Sequence, residues 1–228
     1  MIIRSVSESS DSVGVAVAPD ELSAGETAEE RFVLSPGEWK RLNRSLGYDP
    51  AAGLVLSAGQ PVDEAVYDAL RAAHGRTAAV RDTGKLLAHA DLSRAFLVRR
   101  LTEGGHRRED ALYAADFLEK RGLLNDAEAC RKYAHSAVRS KHFGARRIAA
   151  YLVSRGFSRE DAERAAGSVD ARDYREALRR QIRKKCPALL DAPGELGEAA
   201  HGKAVAALMR QGFTADEIRS LLREARDG

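Results

Sequence analysis

The sequence predicts a mostly α-helical fold of tandem three-helix repeats, with a small β-containing module at the N-terminus. Two observations lead to this prediction. The chain is rich in Leu and Ala and only 6% aromatic, a composition that favours helices over a β-sandwich. In addition, one motif occurs three times, as LTEGGHRREDA from Leu101, LVSRGFSREDA from Leu152 and LMRQGFTADEI from Leu208.

Each copy of the motif marks a turn between two helices. A Leu is followed four positions later by Gly, then by an aromatic residue or His, and then by an acidic pair that opens the next helix. The marker glycines Gly105, Gly156 and Gly212 lie 51 and 56 residues apart. Repeats of this length have to stack to bury their apolar faces, so we expect an elongated, curved helical array.

The first 62 residues predict a tail followed by the β-containing module. Residues 1–12 are polar and rich in Ser, which is typical of a disordered tail. Over 13–62, the short apolar runs VGVAV, RFVL and GLVLS are separated by Pro, Gly and acidic residues, as in short strands joined by turns.

A short helix is expected inside this module. Ser35, Pro36 and Glu38 have the spacing of an N-cap, a first helical position and a capping-box acid. The helix that follows would place Trp39 and Leu42 against the core of the module. This is the one helix predicted before residue 63.

Residues 63–122 predict a linker helix and the first repeat. Apolar residues recur at helical spacing after Pro61, and a further helix is expected at about 77–90. Two more helices, before and after Gly104-Gly105, complete the repeat. A left-handed C-cap is expected at these glycines.

Residues 123–168 predict the second repeat, with two helices and a short third one. Asn125 has the spacing of an N-cap for the first helix. Gly144 separates the first helix from the second, and Gly156 ends the second. Ser158 then caps the third.

Residues 169–228 predict the third repeat. A long basic helix is expected from about Asp170 to Lys185, because proline at position 187 disfavours helix in the residue before it. A loop rich in Pro and Gly follows. The second helix is expected from about Lys203, and a Thr–Glu capping box opens the third.

Positive charge is concentrated in the second and third repeats. The net charge of the chain is +3, but residues 1–90 carry nine Lys and Arg against thirteen Asp and Glu, whereas residues 131–187 carry sixteen against six. A block of this kind suits a polyanion. The candidate binding residues are Arg131, Lys132, Arg139, Lys141, Arg146, Arg147, Arg155, Arg172, Arg175, Arg179, Arg180, Arg183, Lys184 and Lys185.

Four of these residues predict a single stripe on the basic helix of the third repeat. Arg172, Arg175, Arg179 and Arg183 are three or four positions apart, and like charges at that spacing repel by a few tenths of a kcal/mol per pair. This favours a compensating partner, either phosphates or an acidic protein surface. A solvated helix face, whose Arg stems cover apolar area, is the alternative. The aromatic residues among these charges are expected in the core more often than stacked on bases.

The residue patterns of an enzyme or a metal site are absent from the sequence. The six His residues form no ligand cluster with Cys130 and Cys186, and no Ser lies in a GxSxG motif. Residues 197–204 follow the spacing of a P-loop, but Ala204 stands where Ser or Thr would bind magnesium, and no predicted strand precedes the segment. We therefore expect no enzyme activity, no metal and no cofactor.

Cysteine usage and hydropathy predict a cytoplasmic protein. Cys130 and Cys186 form no CxxC pair and are expected to be reduced thiols. The chain start lacks the apolar core of a signal peptide, and no apolar run approaches the length of a membrane span. We expect a monomer with no membrane partner.

Several elements of the second and third repeats occur in an order known from one protein family. They are GLLND from Gly122, GARRI from Gly144, Leu152 with RGFS from Arg155, and LMRQGF from Leu208. Together they resemble the RecX family of regulatory proteins, bacterial modulators of the RecA recombinase, over about residues 80–226. The residues that carry the resemblance are Gly122, Leu124, Asn125, Asp126, Gly144, Ile148, Leu152, Gly156, Phe157, Gly212 and Phe213.

The resemblance implies a non-enzymatic regulator, mainly an inhibitor, of RecA. Such a protein would bind in the groove of the RecA–DNA filament and modulate ATP hydrolysis, strand exchange and coprotease activity in recombination, DNA repair and the SOS response. Its partners would be the RecA filament and, weakly and in a salt-dependent manner, single- or double-stranded DNA. A stand-alone helical DNA-binding protein with no recombinase partner is the alternative, although the third helices begin with acidic residues, which match DNA bases poorly.

Overall fold

The computed structural model of the chain describes residues 1–19, 29–87, 92–191 and 197–227. Within these ranges it contains a three-stranded sheet followed by eleven α-helices. The predicted mostly helical fold with a small β-containing module at the N-terminus is therefore confirmed.

The chain folds into two compact units. The N-terminal unit comprises Met1–Ala90 and Leu97–Arg121, and the C-terminal unit comprises Asp91–Phe96 and Gly122–Gly228. Each unit has its own cluster of buried apolar side chains, which is the usual mark of a separately stabilised domain.

The strands β1 (Ile2–Glu8), β2 (Val13–Ala18) and β3 (Glu30–Leu34) form an antiparallel sheet in the order β1-β2-β3. The prediction that residues 1–12 form a disordered tail is wrong, because β1 pairs with β2 along its length and Ile3 is fully buried. The pairing register shifts directly after Ile3. This bulge interrupts the alternation of apolar and polar residues by which a strand is recognised.

The predicted strand GLVLS, residues 53–57, is also wrong, since these residues form no strand. Leu56 is buried, but its N–H donates to the side-chain oxygen of Asn43 at 2.6 Å rather than to a neighbouring strand. The side-chain amide nitrogen of Asn43 donates in turn to the carbonyl of Trp39 at 2.9 Å. The buried side chain of Asn43 thus satisfies the backbone N–H of Leu56, which the sequence predicted to be paired in a strand.

Helix α1 (Pro36–Ser45) begins as predicted. Ser35 is its N-cap and accepts a hydrogen bond from the N–H of Glu38 at 3.2 Å. Trp39 and Leu42 are buried in the core of the N-terminal unit. The start of this helix is set by local capping chemistry, which explains why the sequence predicted it.

Three further helices follow in this part of the chain. They are α2 (Glu64–Leu87), α3 (Arg94–Glu103) and α4 (Arg108–Lys120). The two helices predicted before residue 88 are a single helix, α2, and the predicted end at 88–90 lies outside the described residues. Gly75 lies within α2 and does not end it. A Cβ at this position would overlap the carboxylate of Asp110 in α4, so the glycine makes room for that side chain. Gly105, with φ +94°, forms the predicted left-handed turn after α3.

The carboxylate of Glu38 is buried and fully paired in the N-terminal unit. It accepts hydrogen bonds from the hydroxyl of Tyr113 at 2.6 Å and from Nε of Arg76 at 2.7 Å, and Arg41 lies 3.0 Å away. A buried carboxylate is tolerated only with such partners. The network therefore joins α1 to α2 and α4.

The helices of the C-terminal unit follow the predicted order. Their bounds are α5 (Asp126–Lys141), α6 (Ala145–Ser154), α7 (Arg159–Gly167), α8 (Ala171–Lys185), α9 (Ala188–Asp191), α10 (Glu198–Arg210) and α11 (Ala215–Asp227). Two details differ from the prediction. The one-turn helix α9 lies in the segment predicted as a loop, because the side chain of Leu189 is buried there. Helix α10 begins before the predicted start at Lys203. Residues 192–196 of that loop lie outside the described residues.

Side-chain caps open α5, α7 and α11 of the second and third repeats. Asn125 caps α5, and the hydroxyl of Ser158 accepts a hydrogen bond from the N–H of Asp161 at 3.0 Å. Thr214 and Glu217 form a reciprocal capping box: the hydroxyl accepts from the N–H of Glu217 at 3.2 Å, and the carboxylate accepts from the N–H of Thr214 at 2.6 Å. These acidic residues therefore serve as caps.

A close backbone contact joins the second and third repeats. The N–H of Gly144, which precedes α6, donates to the carbonyl of Gln211 at 2.8 Å in the turn after α10. A Cβ added to Gly144 would come within 2.6 Å of the backbone nitrogen of Phe213, and one added to Gly212 would come within 2.6 Å of the Cβ of Arg147. Glycine is therefore required on both sides. We call this the Gly144–Gly212 contact.

A similar contact recurs one repeat earlier. Ser93 precedes α3 as Gly144 precedes α6, and its hydroxyl donates to the carbonyl of Arg155 at 2.8 Å. A Cβ added to Gly156 would lie 2.8 Å from that hydroxyl. By contrast, a Cβ at Gly105, the equivalent glycine of the first copy, would meet no described atom within 4 Å. The turn after α6 thus packs on the start of α3, and the turn after α10 packs on the start of α6.

The substitution Gly144→Ala should lower the free energy of unfolding by about 2–3 kcal/mol, because the new methyl group overlaps backbone atoms that are not free to move. The φ of Gly144 is −77°, so backbone strain does not contribute. Urea denaturation measures the change. Gly202→Ala is the matched control: Gly202 lies in α10 with open space around it, and the substitution should stabilise the protein by about 0.5–1 kcal/mol. Equal effects of the two substitutions would contradict the steric explanation.

Candidate functional site

The predicted basic residues lie on α5, α6 and α8 or directly after α6. Two of them, Arg147 and Arg155, are partly buried, and the other twelve are exposed. We call these twelve the basic surface. They are Arg131, Lys132, Arg139, Lys141, Arg146, Arg172, Arg175, Arg179, Arg180, Arg183, Lys184 and Lys185.

The guanidinium of Arg155 is held between two tyrosines. Its nitrogens donate to the hydroxyls of Tyr151 at 3.0 Å and Tyr133 at 3.3 Å, and its central carbon lies 4.4 Å from the centre of the Tyr133 ring. Desolvation lowers the pKa of Arg155, but its hydrogen bonds to Tyr133 and Tyr151 and the charges of both tyrosines outweigh it, so the pKa is raised. Arg155 is therefore a packing residue. The sequence carried one signal of this, since Tyr151 precedes Arg155 by one helical turn.

Arg147 has a second packing role. Its guanidinium donates to the carbonyl of Arg210 at 3.2 Å and to the side-chain oxygen of Gln211 at 2.9 Å, and it lies 4.3 Å from the centre of the Phe143 ring. These bonds lie beside the Gly144–Gly212 contact and reinforce it. Two of the predicted binding residues are thus largely used inside the fold.

Five residues of the basic surface have partners among the described side chains. Lys132 pairs with Glu128 at 3.3 Å, and Arg180 pairs with Glu176 at 2.8 Å, each within one helix. Two longer ion pairs connect helices: Arg139 with Asp173 at 3.9 Å, and Arg175 with Glu224 at 3.4 Å. Lys141 lies over the ring of Tyr151, 5.4 Å from the ring centre. Exposed pairs of this kind contribute little to stability.

Seven residues of the basic surface form no side-chain hydrogen bond or ion pair within the described parts of the chain. Two lie on α5 and α6, and five lie on α8. The seven are Arg131, Arg146, Arg172, Arg179, Arg183, Lys184 and Lys185. The last three stand in the final turn of α8, where the helix dipole favours positive charge. The first turn of α6, which holds Arg146, gives no such support.

Two contacts place α8 beside the C-terminal end of α5. The side-chain nitrogen of Gln181 donates to the carbonyls of Lys141 at 3.2 Å and His142 at 3.1 Å, which are orphan carbonyls at the helix end. Arg139 and Asp173 also bridge the two helices. The C-terminal end of α5, which carries Arg139 and Lys141, therefore lies beside α8 and its cations.

Glu176 is the acidic residue set into the stripe of α8. The hydrogen bond from Arg180, together with the charges of Arg180, Arg179 and Arg183, lowers the pKa of Glu176, and desolvation opposes this only in part. A lowered pKa means that the ionised carboxylate stabilises the fold at neutral pH and that this contribution is lost as the pH falls through the lowered value. Glu176 thus offsets one charge of the stripe and leaves it strongly positive.

The aromatic residues near these charges pack against the core of the C-terminal unit, as expected for helical spacing. The rings of Tyr133 and Phe157 lie 5.9 Å apart, and those of Phe143 and Tyr151 lie 6.2 Å apart in an edge-to-face arrangement. The hydroxyl of Tyr174 donates to the carbonyl of Ala166 at 2.7 Å, and burial raises the pKa of Tyr174 to about 12. These rings support the fold beneath the basic surface.

Other chemistries find no support in the geometry. The segment with P-loop spacing is helical from Glu198 onward, so it does not form a phosphate-binding loop. Burial raises the pKa of Cys130 to about 11, which suppresses its thiolate, and no group of three or more metal-ligating side chains is found among the described residues. In those same parts of the chain, every helix is too short or too polar to cross a membrane.

The residues predicted from family motifs form the turns and the core of the second and third repeats. Gly122, Gly156 and Gly212 have φ values of +68°, +91° and +95°, which disfavour any other residue. Asn125 caps α5, and the backbone N–H of Arg94 donates to a side-chain oxygen of Asp126 at 2.8 Å. The apolar members are all buried: Leu124, Ile148, Leu152, Phe157 and Phe213.

Comparisons with known proteins agree with the resemblance to the RecX family. A family model described as the second three-helix domain of RecX matches residues 125–165. A regulatory protein RecX from Chromohalobacter salexigens is 31% identical over 144 residues, which are 63% of this chain and 90% of that protein. The chain belongs to the RecX family. A second regulatory protein RecX, from Leptothrix cholodnii, is also 31% identical, over 62% of this chain and 85% of that protein.

Solved RecX structures share the fold. A crystal structure of a regulatory protein RecX superposes with a TM-score of 0.69 at 14% identity and covers the full length of both chains. RecX from Lactobacillus salivarius superposes with a TM-score of 0.59 at 16% identity, over 67% of this chain and 97% of that one. The chain is thus a member of a regulatory protein family with the RecX fold.

The substitution Arg155→Lys should lower the free energy of unfolding by about 1–2 kcal/mol, because an ammonium group cannot reach both tyrosine hydroxyls and stack on the ring at once. Chemical denaturation tests this. Arg131→Lys is the matched control and should change stability by less than about 0.5 kcal/mol, since Arg131 is exposed and unpaired. If Arg155→Lys left stability unchanged and weakened DNA binding instead, Arg155 would belong to the binding surface.

Proposed function

We propose that this protein regulates the RecA recombinase, mainly as an inhibitor, by binding in the groove of the RecA–DNA filament. In that position it modulates ATP hydrolysis, strand exchange and coprotease activity during recombination, DNA repair and the SOS response. Membership of the RecX family is the observation that carries the proposal, since the relatives are named as regulatory proteins. The filament also sets the place of action, which is the cytoplasm.

The basic surface supplies the physical support. Five unpaired cations lie on α8, and they extend from Arg172 to Lys185, over about 20 Å at the rise of an α-helix. On a DNA duplex, this length faces about a dozen phosphate charges. Binding to phosphates or to an acidic protein surface relieves the mutual repulsion of the stripe and releases counterions. We therefore assign the twelve residues of the basic surface to filament contacts.

Stand-alone DNA binding is the competing function, because the same surface would attract naked DNA. The geometry of the third helices argues against sequence-specific reading. The first turn of α7 carries Glu160 and Asp161, both of which pair with Arg164, and the first turn of α11 carries Asp216 and Glu217. A recognition helix presents donors such as Arg, Asn or Gln to the bases at its first turn. Sequence-independent phosphate contact remains the role of DNA in the proposal.

ATP hydrolysis by RecA on single-stranded DNA tests the proposal directly. Adding the protein at substoichiometric amounts should lower the steady-state hydrolysis rate, because one bound regulator affects a filament of many subunits. Bovine serum albumin at the same concentration serves as the control. An unchanged hydrolysis rate, together with ordinary binding to naked DNA, would reject the RecA proposal in favour of the stand-alone DNA-binding protein.

The triple substitution Arg172→Ala, Arg179→Ala and Arg183→Ala should weaken filament binding and flatten its salt dependence. Each lost phosphate contact reduces the slope of log affinity against log salt by about 0.7–0.9, so three lost contacts should reduce the slope by about 2–3. Fluorescence anisotropy over a series of salt concentrations measures it. The matched control replaces three exposed arginines of the N-terminal unit, Arg81, Arg99 and Arg100, by Ala, which changes the net charge equally. Equal slopes for the two triple variants would refute the assignment to α8.

A further inference from the structure

Two apolar grooves occupy equivalent positions in the second and third repeats. The first, of about 570 Å³, lies between α6 and α7, and the second, of about 580 Å³, lies between α10 and α11. All nine residues that line the first groove have an equivalent lining the second, 56 positions later. This is also the spacing between Gly156 and Gly212, so the grooves belong to the repeat itself.

Each groove exposes a large apolar side chain at the same place. Val153 in the first groove is 42% exposed, and Met209 in the second is 44% exposed. Beside them lie Ala149 and Ala150 in the first groove, which correspond to Val205 and Ala206 in the second. These residues carry a sequence signal only when the two repeats are aligned at this spacing.

The first repeat shows that the fold does not require apolar residues at these positions. The residues 51 positions before Ala150 and Val153 are Arg99 and Thr102. Arg99 pairs with Glu103 at 3.7 Å, and the hydroxyl of Thr102 donates to a backbone carbonyl. Helix packing is thus satisfied with polar residues there. Exposed apolar residues at the same place in two successive copies indicate a bound partner.

The edges of both grooves carry positive charge. Arg146 and Arg159 flank the first groove together with Glu163, and Arg223 and Arg219, which pairs with Asp216, flank the second. Arg146 and Arg159 form no side-chain ion pair within the described parts of the chain. The fitting partner therefore has an apolar centre with acidic neighbours, which distinguishes a protein segment from DNA, whose phosphates offer no apolar centre.

We propose that the two grooves bind the same apolar, acid-flanked segment twice, from adjacent and identical subunits of a protein filament. This inference rests on the proposed function and adds a second, apolar contact to the filament beside the basic surface. The Gly144–Gly212 contact fixes α6 relative to the turn after α10, so the grooves have a fixed separation. A filament whose identical subunits have a constant spacing fills both grooves at once. The second binding event then gains from the high effective concentration set by the first.

Substitution of the two exposed residues tests the proposal. Val153→Asp and Met209→Asp should each weaken binding to RecA filaments on single-stranded DNA by about tenfold, and the double variant by about a hundredfold or more, because burial of a charge replaces burial of an apolar side chain. Leu54→Asp is the matched control: Leu54 is 61% exposed and lies in the N-terminal unit, and its variant should bind within about twofold of the wild type. Melting temperatures establish that the variants are folded, and Val153→Ser with Met209→Ser replaces the pair if the Asp variants unfold.

The outcomes separate this proposal from the one on which it rests. Failure of the wild-type protein to bind the filament rejects the proposed function. Binding of the wild type with equal binding of the folded double variant rejects the grooves alone. A single substitution as damaging as the double one would show that only one groove is used. An equal loss of affinity for DNA-free RecA monomers would show that no repeating partner is needed. Either result overturns the proposal. Binding of the double variant to naked DNA should be unchanged, and its loss would assign the grooves to DNA.

Discussion

The backbone of Gly144 lies directly against the backbone of Gly212, and the arrangement of the C-terminal unit depends on this contact. Neither residue has a side chain that could keep the two segments apart, and the hydrogen bond from Gly144 to Gln211 fixes their register. Arg147 adds two hydrogen bonds on the outside of the same junction. The contact holds the start of α6 against the end of α10, so every surface formed by the second and third repeats inherits its geometry.

The basic residues of this unit fall into two groups with different physical roles. Arg147 and Arg155 are partly buried, and hydrogen bonds and aromatic rings hold their guanidinium groups, so their charge is used to join segments of the fold. The exposed group is concentrated on α8, where Glu176 pairs with Arg180, and Glu224 of α11 pairs with Arg175. A similar total charge spread evenly over the unit would not create such a stripe. The position of the charge therefore matters more than the small net charge of the chain.

The sequence predicted those features that neighbouring residues determine. Helix starts at Asn125, Ser158 and Thr214 follow from a cap and an acid three positions later, and the glycine turns follow from backbone conformation. Features that depend on distant residues were missed. The bulge after Ile3 concealed β1, the side chain of Asn43 replaced a strand partner for Leu56, and Gly75 makes room for Asp110 instead of ending a helix. The same holds for the candidate site. Its residue types follow from the charge pattern, whereas the packing of Arg155 between Tyr133 and Tyr151 depends on tertiary contacts.

The start of α10 differs from the starts of α3 and α6 in the earlier copies. Ala200 occupies the place that Ser93 and Gly144 hold in the earlier copies, but α10 begins one turn sooner and encloses it. The N–H of Ala200 already donates to the carbonyl of Gly197 at 3.0 Å, whereas that of Gly144 is available to the turn of the next copy. The extra helical turn therefore uses, inside α10, the backbone donor that the Gly144–Gly212 contact uses between two copies.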